Sequence, residues 1–398
     1  MALALRLPFQ GELLSTILIE YLAEEQVVGR YAFLRSILNC QPSSLVSMPR
    51  GLKRLSEETR DYWQMTATDI AIRLTCMPYH IASSSPETAA SALAIVENGP
   101  SQMQNARELV FGCNPDTMYL RFCRQCISER RKQGRRPYFQ REHQLPGVAA
   151  CAEHGQVLTI STLRASMLHV ANKKELLDVF SGGQDACVKY TRDRELQVLW
   201  EMARRSKDAL HATPASYFCI KERYRQQLAE RGFLCEDGSL RLDEFSRAVV
   251  DYFGQPYLSW LKLCGSKRET QDWIGALLFR SHVTPPTIAH ILLQQFLATD
   301  TRHECKDAES YGSWQPGSYW SVDWERRDAL FLAALKDAAN KIRAEEPARR
   351  LTSKSIQLTS KLPGWMHHHF KKLPRCRGFL EEAVESAEQF RARRAISM

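Results

Sequence analysis

Three cysteines and a histidine hold the spacing in this chain with the clearest chemistry. Cys123-x-x-Cys126 is followed by Cys151-x-x-His154, and together they offer three thiolates and one imidazole, the donor types that tetrahedral zinc takes. Within each pair the two intervening residues can form a tight knuckle that turns both donors toward one ion. Gly155 follows the histidine and lets the chain leave that knuckle with positive φ. Four protein ligands leave no open coordination position, so the expected Zn2+ is structural and not catalytic. A redox dithiol is the competing reading of Cys123 and Cys126, since Tyr119-Leu120-Arg121-Phe122 reads as a strand and such dithiols sit at helix N-termini after strands. The second pair has no place in a redox site. His143 is the alternative fourth ligand, although it has no partner at knuckle spacing.

A second group of residues offers charge. Between Lys341 and Leu380 there are about ten Lys and Arg against two acids, Glu345 and Glu346, the steepest basic bias in the chain. Thr352 or Ser353 is placed to cap a helix running through Lys361, Pro363-Gly364 reads as a turn, and a second helix is expected over 365–373. On that second helix Met366, Phe370 and Leu373 share one side, with His367, His368, Lys371 and Lys372 largely opposite. An apolar back and a donor-rich front suit a major-groove reader. The candidate DNA contacts are therefore Lys354, Lys361, His367, His368, Lys371 and Lys372, with Arg375 and Arg377 reaching phosphates. A solvated basic face is the competing account. A metal site at His367-His368-His369 would require unwinding, because successive helical residues diverge by about 100°.

Around the four candidate ligands the sequence resembles a known family. Arg121-Phe122-Cys123-x-x-Cys126, Tyr138-Phe139-x-Arg141-x-His143-Gln144-Leu145-Pro146-Gly147 and Cys151-x-x-His154-Gly155 look like the central motif of the TniQ/TnsD proteins, target selectors of site-specific and CRISPR-associated transposons. Pro8, Glu12 and Ser15 or Thr16 loosely resemble that family's opening. The C-terminal half resembles TnsD-type proteins through Tyr224…Leu228…Gly232, Pro286-x-x-x-His290-Ile291-Leu292-Leu293 and Val322-Asp323-Trp324-x-x-Arg327-Asp328. The resemblance implies a small helix-turn-helix near the start and partners of two kinds, a double-stranded DNA attachment site and an AAA+ ATPase transposition regulator.

The elements that must position these residues read as mainly α. A helix is expected from Pro8 through Leu22, a second over Tyr31–Leu38, and a third over Ala67–Leu74 capped by Thr68 or Asp69. Leu158-Thr159-Ile160 reads as a short strand closing the zinc module, and 180–185 as a linker. Farther on, Tyr224 and Leu228 share a helical face that stops at Gly232, Glu236-Asp237-Gly238 turns, and Asp243 caps a helix with Phe245, Ala248, Val249, Tyr252 and Phe253 on one side. Residues 273–278 read as helix, and Thr284 caps another that begins with Pro285 and Pro286 and carries His290 as a core histidine. The expected organisation is a helical N-terminal domain over 1–120, a zinc-finger module over 121–165, and an array of helix-turn-helix-type units over 190–398.

At 398 residues the chain can bury several cores, and its net charge of +9 favours polyanionic partners without bearing on fold. Twelve cysteines at irregular spacing, with no signal-type start, predict a reducing, cytoplasmic and nucleoid-associated setting with no membrane partner. No phosphate-cradling Gly-rich loop, His-Glu-x-x-His or Gly-x-Ser-x-Gly occurs, so an enzyme is not expected. Two functions compete. One is a DNA-binding target selector that recruits the ATPase, and the other is an adaptor that links a CRISPR effector complex to the transposition machinery.

Overall fold

A computed structural model describes residues 3–38, 49–99, 119–165, 193–213, 220–235, 238–261, 285–299, 324–346, 348–362 and 364–396. It also describes 171, 175, 178–181, 188, 273–275 and 277–278. Most of the expected linker at 180–185, Glu236, Asp237, Thr284, Val322, Asp323 and Pro363 lie outside the described residues. Among the described residues helices dominate, with one small sheet. Contacts divide the chain into two compact units, residues 1–220, 249–277 and 281–299 forming one, and 221–248, 278–280 and 300–398 the other.

In the first unit, α1 (Leu14–Glu24), α2 (Arg30–Leu38), α3 (Leu52–Trp63), α4 (Ala67–Leu74), α5 (Met77–Ile81) and α6 (Pro86–Asn98) form a bundle in which α3 packs on α2, α4 and α6. The first helix starts at Leu14, not at Pro8. Gly11 takes φ +73°, and the extended Leu13 donates its N–H to the Phe139 carbonyl at 3.0 Å, so the preceding segment is held as a strand-like edge. Glu12 is wholly buried there and accepts from Arg6 and from the Phe9 N–H. The cap of α4 is Thr66, two residues earlier than expected. Its hydroxyl accepts from the Asp69 N–H while the Asp69 carboxylate reaches back to the Thr66 N–H, a capping box. A three-residue turn with Gln64 in the left-handed region joins α3 to α4, which is helix-turn-helix spacing.

The metal module and its supports complete this unit. Strand β1 (Tyr119–Phe122) pairs antiparallel with β2 (Thr159–Arg164), and α7 (Arg124–Lys132) follows β1 directly. The long helix α8 (Asp193–His211) packs on α5.

In the second unit, α9 (Lys221–Glu230) buries Tyr224 and Leu228 and stops at Gly232 with φ +76°. The division falls inside α10 (Leu242–Phe253), whose Asp243 lies within the first turn and not at the cap. Leu242, Phe245, Val249 and Phe253 are buried, with Ala248 and Tyr252 half-buried.

Back in the first unit, α11 (Gln255–Leu261) follows α10, residues 273–275 and 277 are helical, and α12 (Thr287–Leu297) packs on α8. Both prolines precede α12, with Pro286 itself in the extended cap position. Thr287 instead spends its hydroxyl on the Tyr79 carbonyl at 2.6 Å. His290 is buried in the body of α12, as expected of a core histidine.

The rest of the second unit is a helical module of its own: α13 (Trp324–Arg343), α14 (Ser353–Thr359), α15 (Pro374–Ala383) and α16 (Ala387–Ile396). Helices α14 and α15 both pack on α13 around a core that includes Phe331, Leu335, Ile342, Ile356, Leu373 and Leu380.

Candidate metal centre and basic module

The four ligands expected from spacing come together. Cys123, Cys126, Cys151 and His154 offer donor atoms that all lie within 4.8 Å of one another, the cysteines buried and the histidine half-buried. His154 Nδ1 stands 3.5, 3.2 and 3.5 Å from the sulfurs of Cys123, Cys126 and Cys151, and the Cys126 and Cys151 sulfurs are 3.6 Å apart. Such a set of soft donors around one point can hold a metal ion.

Local structure explains how it is built. Cys123 is the N-cap residue of α7 and Cys126 lies in its first turn, with the Ile127 N–H closing on the Cys123 carbonyl at 3.2 Å. This is the strand-then-helix setting that a redox pair would use, yet Cys151 and His154 also converge on it. Their own knuckle is closed by Gly155 N–H to the Cys151 carbonyl at 2.9 Å and Cys151 N–H to the Gln156 carbonyl at 2.8 Å. Gly155 has φ +65°. Hydrogen bonds from Cys126 and Cys151 hold the Cys123 thiol well below its usual range, and that sharing pushes Cys126 up and Cys151 up to about 12.

Sequence spacing missed a fifth participant. Glu129 Oε1 lies 3.0 Å from His154 Nε2, so the imidazole can donate to the carboxylate with one nitrogen while the other faces the sulfurs. Hydrogen bonds from Gln125 and His154 keep the Glu129 carboxyl below its ordinary pKa. The available signal was its place three residues after Cys126, on the same side of α7. Glu129→Ala is expected to weaken metal affinity about 10–100-fold while leaving the fold intact, measured by competition with a chromogenic chelator.

The motif between the two pairs is scaffold. Gln144 acts as a strand partner for Arg121, accepting from its N–H at 2.9 Å and donating to its carbonyl at 2.7 Å. The Arg121 guanidinium then donates to the Val148 and Leu145 carbonyls. Gly147 has φ +80°, and a Cβ there would stand 2.2 Å from Ile288 Cδ1; its carbonyl also accepts from the Tyr257 hydroxyl at 2.6 Å. Tyr138 stacks on Phe9 and donates to the Gln10 carbonyl at 3.0 Å. His143 lies outside the four-donor cluster, and burial pushes its pKa down to about 3. Helix α8 braces the second knuckle through Trp200, whose indole N–H reaches the Ala152 carbonyl at 2.8 Å.

In the second unit every candidate DNA contact is exposed: Lys354, Lys361, His367, His368, Lys371, Lys372, Arg375 and Arg377. Their support differs from expectation in one respect. Residues 364–372 form 3-10 turns broken at His369 (φ −115°, ψ 17°), not a regular helix over 365–373. Trp324 accounts for the break, because the His369 ring stacks on it at 5.4 Å and Lys372 Nζ sits 4.7 Å from its ring centre. Met366 and Leu373 are buried and Phe370 packs against the same core, as their spacing required. Thr352 caps α14 in a second capping box, but that helix ends at Thr359, and Lys361 turns away with φ +56°. Arg375 pairs with Glu325 at 3.5 Å and Arg377 with Glu381 at 2.8 Å. The regular helix after the break, α15, is capped from a distance: the buried Asp328 carboxylate accepts from the N–H groups of Arg375 and Cys376, both at 2.9 Å.

Two family models match stretches of the chain. Residues 7–158 match the TniQ family, and residues 202–316 and 315–380 match TnsD, described as Tn7-like transposition protein D. No curated protein matches the chain. A mainly helical chain with a Cys3His cluster and these matches is a transposition-associated protein of the target-selection class. The chain is TniQ-like over residues 7–158 and TnsD-like over residues 202–380. Among the described residues no helix is long and apolar enough to cross a membrane.

Proposed function

We propose that the protein is a target-site selector that binds a double-stranded DNA attachment site by sequence and recruits the AAA+ ATPase regulator of its transposon. The observation that carries this reading is the exposed basic surface of the 324–396 module, of which residues 324–380 lie within the TnsD match. Lys371 and Lys372 point outward while Met366 and Leu373 anchor the same segment in the core, so charge is presented on a fixed support. Phosphate contacts of this kind set register, and base contacts select the site.

The metal is proposed to be Zn2+ in a structural role. Zinc bonds of about 2.3 Å to sulfur and about 2.0–2.1 Å to nitrogen give tetrahedral edges of roughly 3.5–3.8 Å, beside donor separations of 3.5, 3.5 and 3.6 Å and a shorter one of 3.2 Å between Cys126 and His154. Zinc there would lock the two knuckles together, and the protein residues would supply all four bonds.

The TniQ match over 7–158 favours a second reading, an adaptor that attaches to a CRISPR effector complex and leaves DNA reading to guide RNA. A nuclease footprint separates the two: protection of a defined duplex by purified protein without RNA supports the selector, and protection only beside an RNA-guided complex supports the adaptor. Within the selector reading, Lys371→Ala with Lys372→Ala is expected to weaken duplex binding about tenfold at moderate salt and to leave bound zinc unchanged. Unchanged affinity would remove this segment from the interface.

A further inference from the structure

Helix α16 has an unusual surface for a folded helix. None of its residues over 387–395 is buried, and only Phe390 and Arg393 are even half-buried. A helix polar on nearly all sides needs a special reason to persist. Two local devices supply it. Ser386 and Gln389 form a reciprocal cap, Ser386 N–H to Gln389 Oε1 at 2.7 Å and Gln389 N–H to Ser386 Oγ at 3.1 Å. Arg393 then grips the Glu385 carboxylate with two hydrogen bonds at 2.7 and 3.1 Å and reaches the Arg349 carbonyl at 2.8 Å.

Glu385 is the hub of this clasp. Its carboxylate also accepts from the Leu351 N–H at 3.0 Å, its own N–H returns to the Leu351 carbonyl at 3.0 Å, and its carbonyl accepts from Arg350 Nε at 2.9 Å. With Arg393 turned inward, the helical period of about 100° per residue puts Arg391 about 160° and Arg394 about 100° round from it, roughly 60° from each other on the outer face. Both are exposed, and the neighbouring outer positions Ala387 and Ala395 carry only methyl groups. The surface is thus two cations on a pinned helix, with one acid, the exposed Glu388, three residues before Arg391 and only methyl groups at Ala387 and Ala395.

We infer that α16 is a second nucleic-acid contact, separate from the 364–377 segment, on which Arg391 and Arg394 bind the phosphate backbone of duplex DNA. This inference rests on the selector reading. Charge complementarity chooses the occupant: two arginines against the single acid Glu388 leave the outer face net positive, and guanidinium groups match the planar, bidentate geometry of phosphate oxygens. Two phosphate contacts carry no sequence information, so their role is to fix orientation and add affinity uniformly.

The test is a salt titration of full-length zinc-loaded protein on a selected duplex and on a scrambled one, comparing wild type, Arg391→Ala with Arg394→Ala, and Lys371→Ala with Lys372→Ala. The arginine variant is expected to lose about tenfold in affinity on both duplexes and to flatten the log–log salt slope by about 1.8. Both side chains are solvent-facing, so zinc content and thermal unfolding should match wild type. A wild-type slope in the arginine variant, with the lysine variant impaired, would overturn the inference and leave the selector reading standing. Wild-type protein that binds neither duplex would instead overturn the selector reading, and this inference with it.

Discussion

Cys151→Ala is expected to remove the metal and to abolish cooperative folding of the first unit. Structural zinc sites supply about 10–16 kcal/mol of apparent binding free energy in finger peptides, as much as the roughly 5–15 kcal/mol net stability of a whole domain. Here the cluster joins two knuckles whose other ties are a small core with Phe122, Phe139 and Val148 and the hydrogen bonds of Arg121 and Gln144. The sheet has only two short strands, and the second knuckle meets the rest through the Ala149–Leu158 pairing, the Trp200 hydrogen bond and the Lys207 ion pairs to Glu142 and Glu153. Metal content should fall from one ion per chain to none, with loss of the thermal transition followed by circular dichroism. A strong chelator should produce the same change in wild type. Cys76→Ala is the control: Cys76 is buried and lies outside the ligand cluster, so that variant should keep its metal. A Cys151 variant that unfolds at the wild-type temperature would show that the cluster contributes nothing to stability.

The second large effect is expected at Asp328. Its side chain is 2% exposed and both oxygens are engaged by the first N–H groups of α15, groups that no carbonyl within that helix can satisfy. Asp328→Ala leaves them buried without an acceptor, which costs about 2–4 kcal/mol. Hydrogen exchange of peptides covering 374–383 in the full-length protein should accelerate by roughly thirty- to a thousandfold, since each 1.4 kcal/mol is a factor of ten. Asp328→Asn keeps one acceptor and should fall between. Because Arg375 and Arg377 sit on the turn that Asp328 holds, duplex affinity should fall in parallel while metal binding at the Cys3His cluster of the other unit is unchanged. Exchange unchanged in Asp328→Ala would mean that α15 is held by its core contacts alone.

The ligand set was legible in the sequence because its information is local: each pair needs only a short turn, and Gly155 marks where the second turn ends. The helices at Tyr31–Leu38 and Ala67–Leu74 and the buried side formed by Met366, Phe370 and Leu373 were legible for the same reason, through period. Residues that act across distance were not. Asp328 caps a helix 47 residues away, Glu12 is buried by Arg6, and His369 leaves helical geometry because Trp324 takes its ring. Glu129 is an intermediate case, visible only once 124–132 is known to be a helix that starts at Cys123. The start of α1 was misread because period alone gives no sign that the segment through Leu13 is engaged as an edge by Phe139.

All of these positions matter to function only if the assembled protein reads DNA by itself. Selection from a random pool of duplexes, with purified zinc-loaded protein at low salt and no RNA, tests that claim most directly. The selector account predicts that sequencing of the retained pool converges on one motif. A retained pool as random as the starting one, from protein whose zinc and fold are intact, would contradict it.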